Sequence, residues 1–374
     1  MNFQNVINGI SNRAHKYLNE RRGWKTDRRI VVIESDDWGS IRTPNREIYE
    51  KSIQKGIFLN KSSFGKNDTL ASNEDFEALY NVLRKHKDSA GNHPVITANT
   101  IVANPDFEKI KESKFQEYYF EIFTETLKKY PNRSFKLWQQ GIDEKLFYPQ
   151  LHGREHLNVM RWLKTLRSGS KSALFAFEHN YFGISELVSE GVPNFLPALD
   201  YDDDESRIFG NQAVAQSADI FKEIFGFASQ SFIAPNYYWH DETEKVLAEK
   251  NINYIQGVYT QRLPNEKYNY HYLGERSKHN QIYLTRNVIF EPATSIERGW
   301  VSTALLEIER AIKLQKPAII SMHRVNFIGS IFEENRTKNL HLLDQLLHEI
   351  VKRWPETEFM HSAELGELIE KELK

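Results

Sequence analysis

The sequence contains no cysteine among its 374 residues. Disulfide bonds, thiolate metal sites and cysteine nucleophiles are therefore all excluded. A metal ion in this protein would have to bind histidine, aspartate or glutamate side chains. These residue types are plentiful, with 13 His and 51 Asp and Glu residues.

Long apolar runs and an excess of charge of one sign are also missing. No stretch reaches the roughly 18 consecutive apolar residues that a bilayer-crossing helix needs. The 49 Lys and Arg residues nearly balance the 51 acidic ones, which gives a formal net charge of −2. That balance is untypical of nucleic-acid-binding proteins. We therefore expect no membrane span and no nucleic-acid partner, while the oligomeric state stays open.

Three common catalytic motifs are absent as well. The chain has neither the Gly-x-x-x-x-Gly-Lys phosphate loop nor the Gly-x-Gly-x-x-Gly dinucleotide fingerprint. It also lacks the Gly-x-Ser-x-Gly turn of serine hydrolases. Nucleotide-dependent enzymes and serine hydrolases are therefore disfavoured.

The first 27 residues are predicted to form an N-terminal helix. Val6, Ile10, Ala14 and Leu18 recur at the spacing of one helical face. The segment lacks the charged start and continuous apolar core of a signal peptide. We therefore expect this helix to pack on a single main domain, 28–374, and we expect a cytoplasmic protein.

Within the main domain, short apolar runs alternate with segments of helical periodicity. Near the C-terminus a helix is predicted over 301–315, a strand over 317–323 and a second helix over 337–354. This alternation favours a parallel sheet in βαβ units, either a barrel or a doubly wound sheet. A helical insertion is expected at 104–138. Further strands are predicted at 28–33, 94–99, 173–179, 231–236 and 358–361.

Polar residues follow several of these strands. Loops at the carboxyl ends of parallel strands converge on one mouth, so these side chains are expected to form one cluster. The residues are Asp36, Asp37, Asn99, Glu178, His179, Asn236 and His323.

Asp36 and Asp37 are the strongest local signal, because they follow the first apolar strand directly. Adjacent residues of a strand point to opposite sides. One carboxylate could then bind a metal ion while its neighbour addresses the bound water or the substrate. A turn or a helix cap is the alternative interpretation.

Histidines supply the other two signals. His152 and His156 are four residues apart, which would place them on one face of a helical turn, close enough to bind one ion. His323 ends an apolar strand, where it could exchange a proton in a cleft or serve as a hydrogen-bonded structural residue.

Taken in order, these motifs resemble those of the NodB-type polysaccharide deacetylases of carbohydrate esterase family 4. Residues 33–39 resemble the first motif of that family, Thr-Phe-Asp-Asp-Gly, and 152–156 resemble the second, His-Ser/Thr-x-x-His. Residues 232–239 resemble the third, Arg-x-Pro-Tyr, and 320–323 resemble the last, Leu-x-His. The resemblance implies an α/β fold, a distorted TIM-like (β/α)7 barrel.

The resemblance also implies roles for individual residues. Asp36 would be the catalytic base and His323 the general acid. A divalent metal ion, with Zn²⁺ as the first candidate, would be held by Asp37, His152 and His156. The implied substrate-binding residues are Trp38, Pro235, Asn236, Tyr237 and Trp239.

The sequence departs from the family pattern at two places, the first being Trp38, an extra residue between Asp37 and Gly39. Ile233 stands where the third motif has an arginine that orients the base. Arg154 or Arg324 is considered as a substitute. The nearest candidate for the family's fourth motif, which tunes the general acid, is the segment 285–292.

The favoured function is a metal-dependent hydrolase that removes an N- or O-acetyl group from a polysaccharide or an amino-sugar precursor. Two alternatives remain open. One is a carbohydrate-binding barrel that has lost catalysis, which the Ile233 departure suggests. The other is a glycoside hydrolase that uses Asp36 together with Glu178 or another acid.

Overall fold

A computed structural model gives the fold and describes residues 19–264, 266–295 and 298–373. Residues 1–18, which make up most of the predicted N-terminal helix, lie outside the described residues. The boundary proposed at residue 28 therefore stays a prediction.

Parallel strands form the central sheet, and two antiparallel hairpins lie beside it. The hairpins are β3 (Ala103–Pro105) with β4 (Phe120–Ile122), and β8 (Thr260–Leu263) with β9 (Lys267–Tyr270). The strands of the central sheet are β1 (Arg29–Trp38), β2 (Ile96–Ile101), β5 (Phe147–Gly153), β6 (Ser231–Ile233), β7 (Tyr254–Gly257), β10 (Ile282–Thr285), β11 (Val288–Ile289), β12 (Ala318–His323) and β13 (Thr357–Met360).

One bent segment closes this sheet into a barrel. Strand β10 pairs with β7, and the backbone N–H of Arg286 continues that pairing by donating to the carbonyl of Gly257 at 2.8 Å. Two residues later, β11 pairs with β12. The ring therefore has seven positions, in the order β1, β2, β5, β6, β7, β10 with β11, and β12. The fold is the distorted (β/α)7 barrel that the motif resemblance implies, and the doubly wound alternative is wrong.

Helices connect the strands and bury their apolar sides against the ring. None of the described helices is both long and apolar enough to cross a bilayer. The helices are α1 (Arg46–Gln54), α2 (Ser63–Asn67), α3 (Asn73–Leu83), α4 (Phe107–Glu112), α5 (Phe123–Lys128), α6 (Phe135–Asp143), α7 (Val159–Arg167), α8 (Lys171–Glu178), α9 (Asp204–Phe225), α10 (Asp241–Glu249), α11 (Trp300–Lys313), α12 (Glu333–Arg353) and α13 (Ser362–Glu372).

The strand predicted at 173–179 is wrong, because this segment is helix α8. The Ser170 side chain caps the helix by accepting the N–H of Ala173 at 3.5 Å. Ala173, Ala176 and Phe177 are buried at helical spacing. Glu178 is exposed as a result and lies at the end of a helix instead of a strand.

The junction between β13 and α13 contains an acid-sensitive histidine. The His361 ring stacks on Tyr148 with its centroid 3.7 Å away, and its Nδ1 accepts the N–H of Glu364 at 3.3 Å. Burial lowers the pKa of His361 to about 4. The imidazole is therefore neutral in the folded protein, as its acceptor role requires.

We expect the free energy of unfolding to fall as the pH drops from about 6.5 to about 4, because the unfolded chain protonates His361 before the folded chain does. The full effect is about 3 kcal/mol. It should be largely absent from a His361→Asn variant, which keeps a capping side chain without the titration. Urea unfolding of both proteins at pH 7.5 and pH 4.5 measures the difference. Equal acid sensitivity in the two proteins would contradict the assignment.

Candidate metal centre and catalytic cleft

A cleft of about 410 Å³ opens where several barrel strands end. Most of the predicted site residues line it together, although they come from distant parts of the sequence. They are Asp36, Asp37, His152, His156, Asn236, Tyr237 and His323.

Asp36 and Asp37 both face this cleft, so the prediction that they point to opposite sides is wrong. Strand β1 continues through both residues. Asp37 has a positive φ of 75°, and the pairing with β2 shifts register between Ser35 and Trp38. A left-handed residue and a bulge break the two-residue alternation of a strand. The backbone distortion thereby turns both carboxylates toward one cavity.

His152 and His156 also meet, but they do so without a helical turn. His152 belongs to the end of β5, and His156 lies in the loop that follows. Gly153, with a φ of 112°, turns the chain between them. The centroids of the two rings are 5.2 Å apart. The predicted convergence is present, and a glycine turn produces it.

The donor atoms of Asp37, His152 and His156 fit one metal ion. Oδ1 of Asp37 lies 3.4 Å from Nε2 of His152 and 3.3 Å from Nε2 of His156. Donors about 2.0–2.1 Å from one tetrahedral ion would be about 3.4 Å apart. Both Asp37 Oδ1 and His152 Nε2 are buried without a hydrogen-bond partner. Such orphaned atoms are expected where an ion completes the site.

The hydrogen bonding of His152 and the protonation state of His156 also suit a metal. Nδ1 of His152 donates to the carbonyl of Ile233 at 2.8 Å, which leaves the lone pair of Nε2 free. Burial, together with Arg42 and His152, lowers the pKa of His156 to about 3, although Asp37 opposes the shift. A neutral imidazole is the form that binds metals.

Asp36 is held by an arginine that the sequence analysis missed. The guanidinium of Arg286 donates to Oδ1 at 2.6 Å and to Oδ2 at 2.7 Å. Asn99 donates to Oδ1 at 2.7 Å. Burial by itself would raise the pKa of Asp36, but the charge and hydrogen bonds of Arg286 lower it well below its usual value. Asp36 is therefore ionised at neutral pH.

Neither Arg154 nor Arg324, the two arginines considered as substitutes for the missing motif arginine, reaches Asp36. Arg154 forms an ion pair with its neighbour Glu155 at 2.6 Å, beneath the ring of Phe120. Arg324 is paired with Asp68 at 2.9 Å. Arg286 reaches Asp36 instead, because it sits at the bend of the segment that closes the barrel.

His323 is a further titratable group of the cleft. Its Nδ1 is hydrogen-bonded to the carboxylate of Glu291, and its Nε2 lies 3.8 Å from Oδ2 of Asp36. Burial alone would lower the pKa of His323, but Glu291, Asp36 and Asp37 together raise it to about 9. At neutral pH the ring is therefore protonated on both nitrogens and positively charged.

Arg286 and Glu291 both come from the segment 285–292, noted above only as the nearest match to a fourth motif. A usable signal was present there, because an arginine and a glutamate flank the apolar residues of a short strand. Arg286 also binds a second carboxylate. Its Nε donates to Oε2 of Glu34 at 2.5 Å. Glu34 lies inside β1 and is fully buried.

Three of the predicted substrate-binding residues do not line the cleft. Trp38 is 1 % exposed and packs in the core against Phe76 and Phe147. Trp239 is 2 % exposed, and its Nε1 donates to Glu244. Pro235 is buried at the start of a 3₁₀ turn. These three side chains are large or apolar and pack in the interior near strand ends. Of the five predicted substrate-binding residues, only Asn236 and Tyr237 line the cavity.

The structure changes one premise of each alternative function. Glu178, the partner acid of the glycoside hydrolase hypothesis, lines a different surface depression together with Glu121 and Lys129. The Ile233 departure suggested a barrel without catalysis. That reason disappears because Arg286 supplies the guanidinium that Ile233 lacks.

No protein-family model matches the chain, and no curated protein matches it in sequence. Solved structures of polysaccharide deacetylases and of carbohydrate esterase family 4 are among its structural neighbours. One, from Mycobacterium smegmatis and assigned as a polysaccharide deacetylase, shows 10% identity and a TM-score of 0.48 over 94% of both chains.

Two further neighbours are similarly distant. A structure from Pseudomonas aeruginosa PAO1, also assigned as a polysaccharide deacetylase, shows 9% identity and a TM-score of 0.45 over 91% of both chains. A family 4 pseudoenzyme from Bacillus anthracis shows 10% identity and a TM-score of 0.38, with 90% of this chain and 65% of that chain covered. The chemistry of the present site is therefore inferred from its own residues.

Proposed function

We propose that this protein is a metal-dependent hydrolase that removes an N- or O-acetyl group from a carbohydrate, either a polysaccharide or an amino-sugar precursor. The observation that carries the proposal is one cleft that holds three converging metal donors beside an ionised carboxylate and a protonated imidazole.

Asp37, His152 and His156 would hold the ion, and Zn²⁺ is the first candidate because two imidazoles and one carboxylate form a typical zinc donor set. When bound, such an ion supplies a Lewis acid that activates water and polarises a carbonyl. All three side chains line the cleft, so an ion that they held would be accessible to a substrate in it.

Asp36 would act as the general base. It adjoins the ligand Asp37 in sequence and shares its cleft, so it can accept a proton from water that attacks the acetyl carbonyl. The charge of Arg286 and its hydrogen bonds to both oxygens keep the carboxylate ionised and fix its orientation. Both effects prepare the base before the substrate arrives.

His323 would act as the general acid. Its ring is protonated at neutral pH, and Nδ1 is occupied by Glu291. Nε2 is therefore the position that can give a proton to the departing amine or alcohol. Phe64 packs edge-on against the ring at 5.0 Å and restricts its movement.

The walls of the cleft suit a small glycan unit. A volume of about 410 Å³ lies within the range of small-molecule sites. Oδ1 of Asn236 is buried without a partner and can accept a hydroxyl hydrogen. The Tyr237 ring offers an apolar face on which a sugar ring can pack.

Metal removal tests the proposal directly. Purified protein is expected to contain a divalent ion in stoichiometric amount and to release acetate from chito-oligosaccharides or from a panel of acetylated sugars. Prolonged chelation should abolish the release, and added Zn²⁺ should restore it. Circular dichroism before and after chelation controls for unfolding.

Two results would overturn the proposal. Acetate release that survives complete removal of the metal would exclude the mechanism. Release of reducing sugar without acetate would assign the cleft to glycosidic cleavage.

A further inference from the structure

Arg42 lies beside the candidate metal site and lines the same cleft. Its guanidinium donates to Oδ2 of Asp37 at 2.9 Å, whereas Oδ1 of the same carboxylate faces the two imidazoles. Arg42 is 6 % exposed and Asp37 is 2 % exposed, so solvent hardly screens this contact. The two oxygens of Asp37 thus face different groups, Oδ2 the guanidinium and Oδ1 the imidazoles.

A chain of buried charges holds Arg42 in place. Its Nε lies 3.5 Å from Oδ2 of Asp68, which in turn forms a two-point ion pair with Arg324 at 2.9 Å and 3.0 Å. Asp68 and Arg324 are both fully buried. Another guanidinium nitrogen of Arg324 donates to the carbonyl of Ser40 at 2.7 Å. Arg42 therefore lies between two buried carboxylates, Asp37 and Asp68.

We propose that Arg42 is a positioning residue that restrains Asp37 to a single metal-binding oxygen and acts as its resident counter-ion when no metal is bound. The inference deepens the proposed function and rests on it for the presence of the metal. Because Oδ2 is bonded to Arg42, only Oδ1 is available to an ion. Because the charge of Asp37 is already balanced, the site stays assembled without the metal.

This arrangement sets the direction of two effects. The buried cation repels a divalent ion nearby and competes with it for the carboxylate. Wild-type protein should therefore bind the ion less tightly than the same three ligands would without Arg42. Loss of Arg42 should also free Oδ2 to become a further metal ligand, which raises the coordination number.

Cobalt binding to wild-type and Arg42→Met proteins tests both effects. Met has a similar length but neither charge nor donor. We expect Co²⁺ to bind the variant about tenfold more tightly in competition with a chromophoric chelator. We also expect its visible absorption to weaken, since four-coordinate Co²⁺ absorbs more strongly than five- or six-coordinate Co²⁺. Equal or weaker binding, or an unchanged spectrum, would overturn the proposal.

Two further variants make the result specific. Arg336→Met removes a comparable partner of a buried carboxylate, Asp75 at 2.9 Å, away from the cleft, and should leave Co²⁺ affinity and spectrum unchanged. Arg42→Lys keeps a positive charge beside Asp37 and Asp68. It replaces Arg42→Met in the experiment if Arg42→Met does not fold. It should still show the weaker spectrum, because one ammonium group cannot replace the guanidinium fork; a wild-type spectrum would overturn the proposal.

The wild-type protein separates this inference from the proposed function. If wild-type protein binds neither Co²⁺ nor Zn²⁺, the metal-dependent function and the inference both fail. If it binds Co²⁺ and Arg42→Met behaves identically, only the role of Arg42 fails.

Discussion

Replacing Asp36 with Asn is expected to lower kcat by about 10²–10⁴-fold, the usual contribution of a general base, while the metal content stays the same. The physical reason is that the neighbouring carboxylates of Asp36 and Asp37 have different partners. Asp37 is directed at the imidazoles, whereas Asp36 is bonded to Arg286 and Asn99 and contributes no donor to the metal set. Removal of its charge should therefore affect proton transfer and leave the ion in place.

The measurement combines steady-state acetate release with metal analysis of the same preparation. An asparagine at position 36 would turn an amide N–H₂ toward the guanidinium of Arg286, so thermal unfolding must be followed in parallel. Asp75→Asn alters a buried carboxylate outside the cleft and serves as the matched control. A rate near wild type for Asp36→Asn, in folded and metal-loaded protein, would show that another group is the base.

Replacing Arg286 with Met is expected to destabilise the fold by about 3–5 kcal/mol, because it leaves buried charges without compensation. The side chain of Arg286 is 1 % exposed and is bonded to Glu34 and Asp36, whose side chains are 0 % and 5 % exposed. Activity should also fall, since the base loses the group that orients it. Urea unfolding and acetate release measure the two losses.

Solvent exposure decides how large this effect is. Arg161 also bonds two carboxylates, Asp200 and Asp202, but Asp202 is 60% exposed. An Arg161→Met control should therefore cost only about 1 kcal/mol or less. Arg286→Lys should recover part of the stability, because it restores the charge without the planar fork. A loss for Arg286→Met no greater than that of the control would refute a central role for this arginine.

Much of the fold and the convergence of Asp37, His152 and His156 as candidate metal donors could be predicted from the sequence. The alternation of apolar strands and amphipathic helices defines a parallel α/β fold, because each pattern reports locally which side of an element is buried. The absence of cysteine restricts a metal to His, Asp or Glu ligands. The motifs around Asp36, His152 and His323 then indicate which of these residues to expect together.

The tertiary structure decided how those residues are oriented and which side chains pack against them or form hydrogen bonds with them. The positive φ of Asp37 and the turn at Gly153 depend on local backbone geometry, to which the periodicity of a sequence is insensitive. Trp38 and Trp239 became core residues because burial depends on what packs against a side chain from elsewhere in the chain. Arg286 reaches Asp36 across 250 residues of sequence. Such a contact exists only after the closing segment has completed the barrel, so spacing along the chain could not reveal it.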